Sequence, residues 1–259
     1  MVIAFFISAQ NFWNLWHSYV RRLNKRVSSL RNLLGPGRHK LIFDIGANVG
    51  NMSAAYACSG LSFIAFEPDP DNVNRLIMRF KFIPLITVCP FGVASKNGSL
   101  ILNRYDQCSA HDTFSDKRAN LLRSSVNPVL GVPVKPFSRM SVKMKTLDSL
   151  ISEYGIPQYI KIDVEGFEVD VIRGLSCPVN TISFECNLPD FADEAVECVN
   201  LLCDICSDYC FNFFVSDHSF ALTSNDWLSG SEVIKAIRFA MLPYVEIAAC
   251  LGKSVVKRS

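Results

Sequence analysis

Acids recur in this chain where short apolar runs end. Asp44 sits within the run 41–45, Glu67 follows 61–66, and Asp163 and Glu165 follow 159–162. A carboxylate there can accept hydrogen bonds from paired hydroxyls, hold a cation or take up a proton. Asp44 leads into Gly46-Ala47-Asn48-Val49-Gly50, two glycines four apart. Without a Cβ, a backbone turns sharply and comes close to a ligand. Strand, tight turn and a Met/Ala/Ser-rich helix make the first unit of a doubly wound α/β sheet, whose ligands lie beyond the carboxyl ends of its strands.

The turn narrows the ligand. A dinucleotide loop reads G-x-G-x-x-G, so that backbone can reach a pyrophosphate. Counted from Gly46, its second and third glycine positions hold Asn48 and Asn51, and no P-loop lysine follows. An adenosine compound without phosphates fits better. S-adenosylmethionine is one, and its cationic amino-acid end suits a loop with an acid and an amide. Asp44, Gly46, Asn48 and Gly50 are the expected loop contacts. Glu67 lies about 20 residues past the glycine turn, where one carboxylate accepts two ribose hydroxyls. Gly92 and Val93 follow a third strand expected at 84–88, where an adenine base would lie.

The stretch Tyr159-Ile160-Lys161-Ile162-Asp163-Val164-Glu165-Gly166-Phe167-Glu168 is the second informative one. It reads as a strand carrying Lys161 inside and ending at Asp163. In a doubly wound sheet it lies beside the first strand, so Asp163 and Glu165 face the cofactor's reactive end. Glu168 reads as a helix N-terminal acid favoured by the macrodipole. Thr181-Ile182-Ser183-Phe184-Glu185 repeats the pattern of an apolar run ending in an acid.

The elements around these residues follow from composition. With 259 residues, 49% hydrophobic, the chain suits one α/β domain with an N-terminal extension. A net charge of +2 gives no reason to expect a nucleic-acid partner. Residues 1–37 read as an amphipathic helical extension. Phe12, Trp13 and Trp16 precede Arg21, Arg22, Lys25 and Arg26, which suits either an anionic membrane surface or a helix capping the sheet. Residues 38–230 are the expected catalytic domain, with 209–215 and 219–222 a closing antiparallel pair. Residues 231–259 read as a helical tail. The polar insert 104–136 has the character of a lid over the cleft. Ten cysteines spread through predicted elements act as small hydrophobes, and a reduced cytoplasmic setting is expected. Cys198, Cys203, Cys206 and Cys210 partly match an iron–sulfur spacing, but a helix does not turn four ligands to one point.

With these runs read, the sequence resembles the FkbM family of S-adenosylmethionine-dependent methyltransferases. The matching residues are D-I-G-A-N-V-G at Asp44 to Gly50, F-E-P at Phe66 to Pro68, T-L-D at Thr146 to Asp148, and K-I-D-V-E-G-F-E at Lys161 to Glu168, followed by Gly174. The likeness covers roughly residues 41–214. It implies a mostly parallel seven-stranded sheet with a reversed last strand, and O-methyl transfer to a hydroxyl of a small metabolite, sugar or polyketide-like acceptor. Asp163 is the first expected base or substrate orienter, Glu165 the second and His111 on the lid the third. No metal is expected, because no histidine stands beside the acids. Ser95 stands where relatives often carry an acid. Two rivals remain on the sequence: an NAD-dependent oxidoreductase on the same fold, and a non-catalytic scaffold or membrane-associated partner that keeps the cleft.

Overall fold

The first strand, β1 (Leu41–Ile45), shows how the sequence builds two layers around one sheet. Side chains alternate faces along a strand. Phe43 and Ile45 enter one apolar cluster, whereas Ile42 enters another. The computed structural model describes residues 9–35, 40–105, 109–124, 138–214, 220–240 and 243–255, with side chains from residue 17 onward.

Parallel to β1 run β2 (Ser62–Phe66) and β3 (Ile86–Cys89) on one side, and β7 (Tyr159–Ile162) and β8 (Thr181–Asn187) on the other. The strand β10 (Tyr244–Cys250) lies antiparallel between β8 and β9 (Cys210–Phe213), giving the order β3-β2-β1-β7-β8-β10-β9. A smaller sheet of β4 (Gly92–Val93), β6 (Ser138–Lys145) and β5 (Gly98–Arg104) stands beside it. This is the expected doubly wound, mostly parallel seven-stranded fold.

The helices α1 (Ala9–Leu34), α2 (Ser53–Ser59) and α3 (Pro70–Phe80) cover one face of the large sheet. The other face takes α5 (Leu147–Tyr154), α6 (Glu168–Arg173), α7 (Ala192–Ile205) and α8 (Gly230–Arg238). In the insert, α4 (Asp116–Ser124) follows a short 3-10 turn at Ser109–His111. Thr146 caps α5, its hydroxyl accepting from the Ser149 N–H. Asp148 then ties α5 to the end of α6: its N–H donates to the Gly174 carbonyl, and its carboxylate accepts the Ser176 N–H. The T-L-D motif and Gly174 are therefore a structural clasp outside the cleft.

In α1, Leu30, Leu33 and Leu34 are buried at one-turn spacing against Ile42, Ala55, Tyr56 and Phe63. Each fully buried leucine is worth about 1.5–3 kcal/mol, which fixes this half of the helix on the sheet. The opening run 1–7 and the side chains of Phe12, Trp13 and Trp16 lie outside the described residues. No described helix is long and apolar enough to cross a membrane.

Two expectations are corrected. The tail 231–259 is not wholly helical: α8 is followed by β10, buried from Val245 to Cys250. A continuous apolar run looks the same in a buried strand as in a buried helix. The partner of 210–213 is therefore β10, and residue 222 makes only an isolated bridge to Phe214. The four clustered cysteines are also dispersed: Cys198 is buried in the α7 layer, and Cys210 belongs to the opposite cluster.

Candidate active site

A cavity of about 250 Å³ opens at the carboxyl ends of β1, β2 and β7. Its wall contains Asp44, Gly46, Asn48, Glu67, Gly92, Val93, Asp163 and Glu165. Of the expected cofactor contacts Gly50 does not line it, and neither does His111, the third expected base. A Cβ on Gly50 would sit 2.6 Å from Phe80 and 2.8 Å from Leu76, so this glycine lets α3 pack against the turn.

Gly46 has a different task. Its φ is +80°, and a Cβ there would stand 1.9 Å from the Asp163 carbonyl oxygen. The turn after β1 and the turn after β7 thus touch backbone to backbone, which only glycine permits. Asn48 follows at φ +50°, a left-handed conformation that asparagine tolerates. Its N–H donates to Glu67 Oε2 at 2.7 Å, and the Asp69 N–H donates to Glu67 Oε1 at 2.9 Å. Each oxygen keeps a second lone pair for a ligand hydroxyl. Burial raises the Glu67 carboxyl to about 8, against the pull of these two N–H donors. Asp44, also buried, accepts from the Ser53 hydroxyl at 2.6 Å, which joins α2 to the turn.

Across the cavity Lys161 Nζ stands 2.6 Å from Asp163 Oδ2. The lysine is buried at 3% side-chain exposure, and the nearby Asp163, Glu246 and Asp44 charges outweigh its desolvation and keep it cationic. Glu165 sits at φ +53°, a conformation that costs a non-glycine residue about 1–3 kcal/mol. Two contacts from the insert hold it there. Thr113 donates its hydroxyl to the Glu165 carbonyl at 2.8 Å, and Arg118 Nη2 lies 2.8 Å from its carboxylate. Burial, then the Asp163 charge, raise Glu165 to about 8 despite that arginine. Glu168 is buried, and its Oε1 accepts the N–H groups of Val164 and Gly166 at 3.2 Å each. It shapes the turn, as expected, and does not line the cavity.

Glu185 lines the cavity beside Asp163 and Glu165. Its carboxylate, with theirs, forms a trio whose oxygens lie within 4.8 Å of one another. Burial first, then Asp163, push the Glu185 carboxyl well above the usual range, so that it holds a proton beside its neighbour. Glu185 ends an apolar run just as Glu67 and Asp163 do. It lacks a following glycine turn, and for that reason the sequence did not single it out. Asp112 and Arg118 were hidden in the insert, which has no readable period. Asp112 lines the cavity and accepts the Tyr105 N–H at 2.7 Å. His111 lies beside two lining residues but does not line the cavity itself, and Ser95 bonds Asp170 outside it.

The trio is the kind of group that holds a divalent cation. Lys161 and Arg118 already supply positive charge to two of its members. The whole wall has six acids, Asp44, Glu67, Asp112, Asp163, Glu165 and Glu185, against Lys161 alone. Burial keeps Glu185 protonated and raises Asp112 to about 7 and Glu67 and Glu165 to about 8, so the wall is less negative than a count of its acids. It still offers carboxyl groups to a sulfonium or an ammonium, and only the Asp163-paired Lys161 to a pyrophosphate. The polar groups of the wall thus suit S-adenosylmethionine better than NAD.

The comparisons with known proteins agree. The chain is 23% identical over 180 residues to the hexuronic acid methyltransferase AglP of Haloferax volcanii, covering 68% of this chain and 66% of that one. It is 27% identical over 147 residues to Methyltransferase 1 of Beauveria bassiana, covering 52% and 57%. The matches therefore span less than two thirds of each relative. Among solved structures, the precorrin-6y C5,15-methyltransferase of Geobacter metallireducens covers 96% of this chain and 93% of its own, at 10% identity and a TM-score of 0.42, a likeness too loose to argue from. The FkbM methyltransferase domain model matches residues 44–206, more than half of the chain. On that match the chain belongs to the FkbM family of methyltransferases, and S-adenosylmethionine is its cofactor.

Proposed function

We propose that the chain transfers a methyl group to a hydroxyl oxygen of a small acceptor, and that the acceptor is a sugar. The observation that carries this reading is the Lys161–Asp163 pair set among Glu165 and Glu185 at the inner end of an acidic cavity. S-adenosylmethionine, when bound, supplies an already activated methyl group. The protein's task is then to align the acceptor oxygen opposite the leaving sulfur and to remove its proton.

In this reading Asp163 takes the proton as the new O–C bond forms and the S–C bond breaks. Lys161 holds that carboxylate in place, and Glu185, protonated, donates its hydrogen bond to the same Asp163 carboxylate. Glu165, pinned by Arg118 and Thr113, orients the acceptor from the insert side. Glu67 holds the ribose hydroxyls, Asp44 the cationic end, and Gly92 and Val93 flank the adenine. The relative named for hexuronic acid supports a sugar acceptor. The wall offers many carboxyl groups to hydroxyls and one cation, Lys161, which Asp163 already engages, so a neutral, hydroxyl-rich sugar suits this chain better than a uronic acid. Peripheral contact with a membrane through the N-terminal extension belongs to the same reading.

The test is methyl transfer from labelled S-adenosylmethionine to a panel of neutral sugars, uronic acids and phenols. Label on a neutral sugar oxygen supports the proposal. Transfer to an amine or a thiol in preference to every hydroxyl overturns it.

A further inference from the structure

The positive charge of the chain is confined. Residues 1–43 and 72–95 together carry ten of the 26 lysines and arginines and none of the 24 acids. The rest of the chain is therefore net negative by eight. The two segments meet in space. Arg79 of α3 reaches Tyr19 of α1 at 3.3 Å, and it also donates to the Val49 carbonyl at 2.7 Å. Arg26 of α1 donates to the Asn51 carbonyl at 3.3 Å. Both arginines thus grip the turn whose residues Asn48 and Asn51 line the cavity.

Beside this basic surface the chain exposes large apolar side chains. Met78 is 69% exposed and Phe82 85%, and Ile77, Ile83 and Leu85 are exposed with them. They occupy the last turn of α3 and the link to β3, a run in which every residue from 81 to 85 is exposed. Met78 and Phe82 are one helical turn apart. Lys81 lies over the Phe82 ring at 4.8 Å, and Arg21, Arg22 and Lys25 are exposed on α1. Monomeric proteins seldom leave such a cluster in water without use.

We propose that α1 and the α3–β3 link form a docking face for an anionic lipid surface. Phe82, Met78 and Ile83 would enter the headgroup boundary, and the arginines and lysines around them would meet lipid phosphates. Aliphatic side chains on a segment without acids, with Lys81 over Phe82, suit acyl chains beneath a charged headgroup. A nucleic acid would call for stacked aromatics or base-edge contacts, and this cluster has one aromatic among four aliphatics. The proposal extends the peripheral contact named above to a second, structured element, and it sets the cavity's glycine turn directly behind the docking face.

The experiment is cosedimentation of the full chain with vesicles of phosphatidylcholine alone and of phosphatidylcholine mixed with phosphatidylglycerol. It uses neither cofactor nor acceptor, so its failure leaves the methyl-transfer reading untouched. The wild type should bind the mixed vesicles and remain in solution with the neutral ones. Arg22→Glu with Lys25→Glu should weaken binding by roughly tenfold or more, since each basic residue contributes about fivefold at such a surface. Phe82→Asp with Met78→Asp should weaken it by roughly as much. Both double variants change exposed residues outside the cavity, so they should keep the wild-type melting temperature and S-adenosylmethionine affinity. Several outcomes overturn the proposal: no binding to mixed vesicles, binding unchanged by Phe82→Asp and Met78→Asp, heparin binding that survives those two changes, or a wild-type dimer that they dissociate.

Discussion

Replacing Glu67 with glutamine should weaken S-adenosylmethionine binding, and more so in alkali than in acid. The two carboxylate oxygens each accept a backbone N–H, from Asn48 at 2.7 Å and from Asp69 at 2.9 Å. An amide offers one oxygen and an NH₂. One backbone donor then loses its acceptor, at a cost of about 1–3 kcal/mol. That cost falls on free and bound protein alike, so it lowers stability rather than affinity. Affinity falls because one ribose hydroxyl now faces a donor instead of a charged acceptor. A hydrogen bond to a charged group is worth about 1.5–3 kcal/mol, which is roughly a tenfold to hundredfold rise in Kd. The pH dependence follows from burial, which puts Glu67 at about 8 in the free protein. Below that pH the wild type must lose a proton from Glu67 to bind, and its affinity declines by up to about tenfold per pH unit. The glutamine variant has no such proton. Asp69 and Asp112 stand near Glu67, and Asp112 is itself raised by burial, so a shallower slope persists in the variant. Calorimetric titration from roughly pH 6 to pH 9 measures both terms. A ratio of dissociation constants that stays constant across that range would show that Glu67 does not carry the effect. Equal affinity at the alkaline end would remove it from the site.

The remaining predictions concern the two turns and the buried acids. Asp163→Asn should lower turnover by about 10²–10⁴, the usual worth of a general base, while S-adenosylmethionine binds within a few-fold of wild type; unchanged turnover would end its catalytic role. Gly46→Ala should cost about 2–4 kcal/mol from its φ and its clash with the Asp163 carbonyl, and should abolish cofactor binding in calorimetry. Gly50→Ala should lower the melting temperature yet leave binding measurable, because its neighbours are the Leu76 and Phe80 side chains; loss of binding with an intact fold would return Gly50 to the ligand-contacting set. In the free protein Glu67 and Glu165 sit near 8 and Glu168 near 7, against an ordinary 4.5. Folded values above the unfolded one mean that the unfolded chain ionises first. This contribution is therefore intact below about 4.5 and is lost as pH rises to about 8. The melting temperature should fall between those limits by about 2–4 °C per kcal/mol lost, and a rise across the same window would contradict the assignment.

Much of the site was legible because the fold puts ligands where strands end. Glu67 and Asp163 each follow an apolar run, Asp44 stands just before the end of its own, and the glycine turn after Asp44 fixed which end of the sheet to read. Gly50 was grouped with the ligand contacts because a glycine beside a ligand loop and a glycine beside a phenylalanine look alike in one dimension. Arg118 and Thr113 were illegible for a different reason. They act on Glu165 across 47 and 52 positions, and no local period encodes a contact of that range. The strand β10 was missed because its burial on both faces erases the alternation that marks a strand with one wet side.

That strand also sets a schedule for the chain's assembly. Translation must pass residue 250 before β10 can enter between β8 and β9, although β8 has been complete since residue 187. Until then the Thr181–Asn187 segment, which carries Glu185, presents an unpaired hydrogen-bonding edge with a largely apolar side-chain set. Such an edge is a template for the wrong partner. The nascent chain is thus at its most aggregation-prone while it already possesses both turns of its cavity, and a ribosome stalled between the two strands would display a nearly whole site on an unfinished sheet.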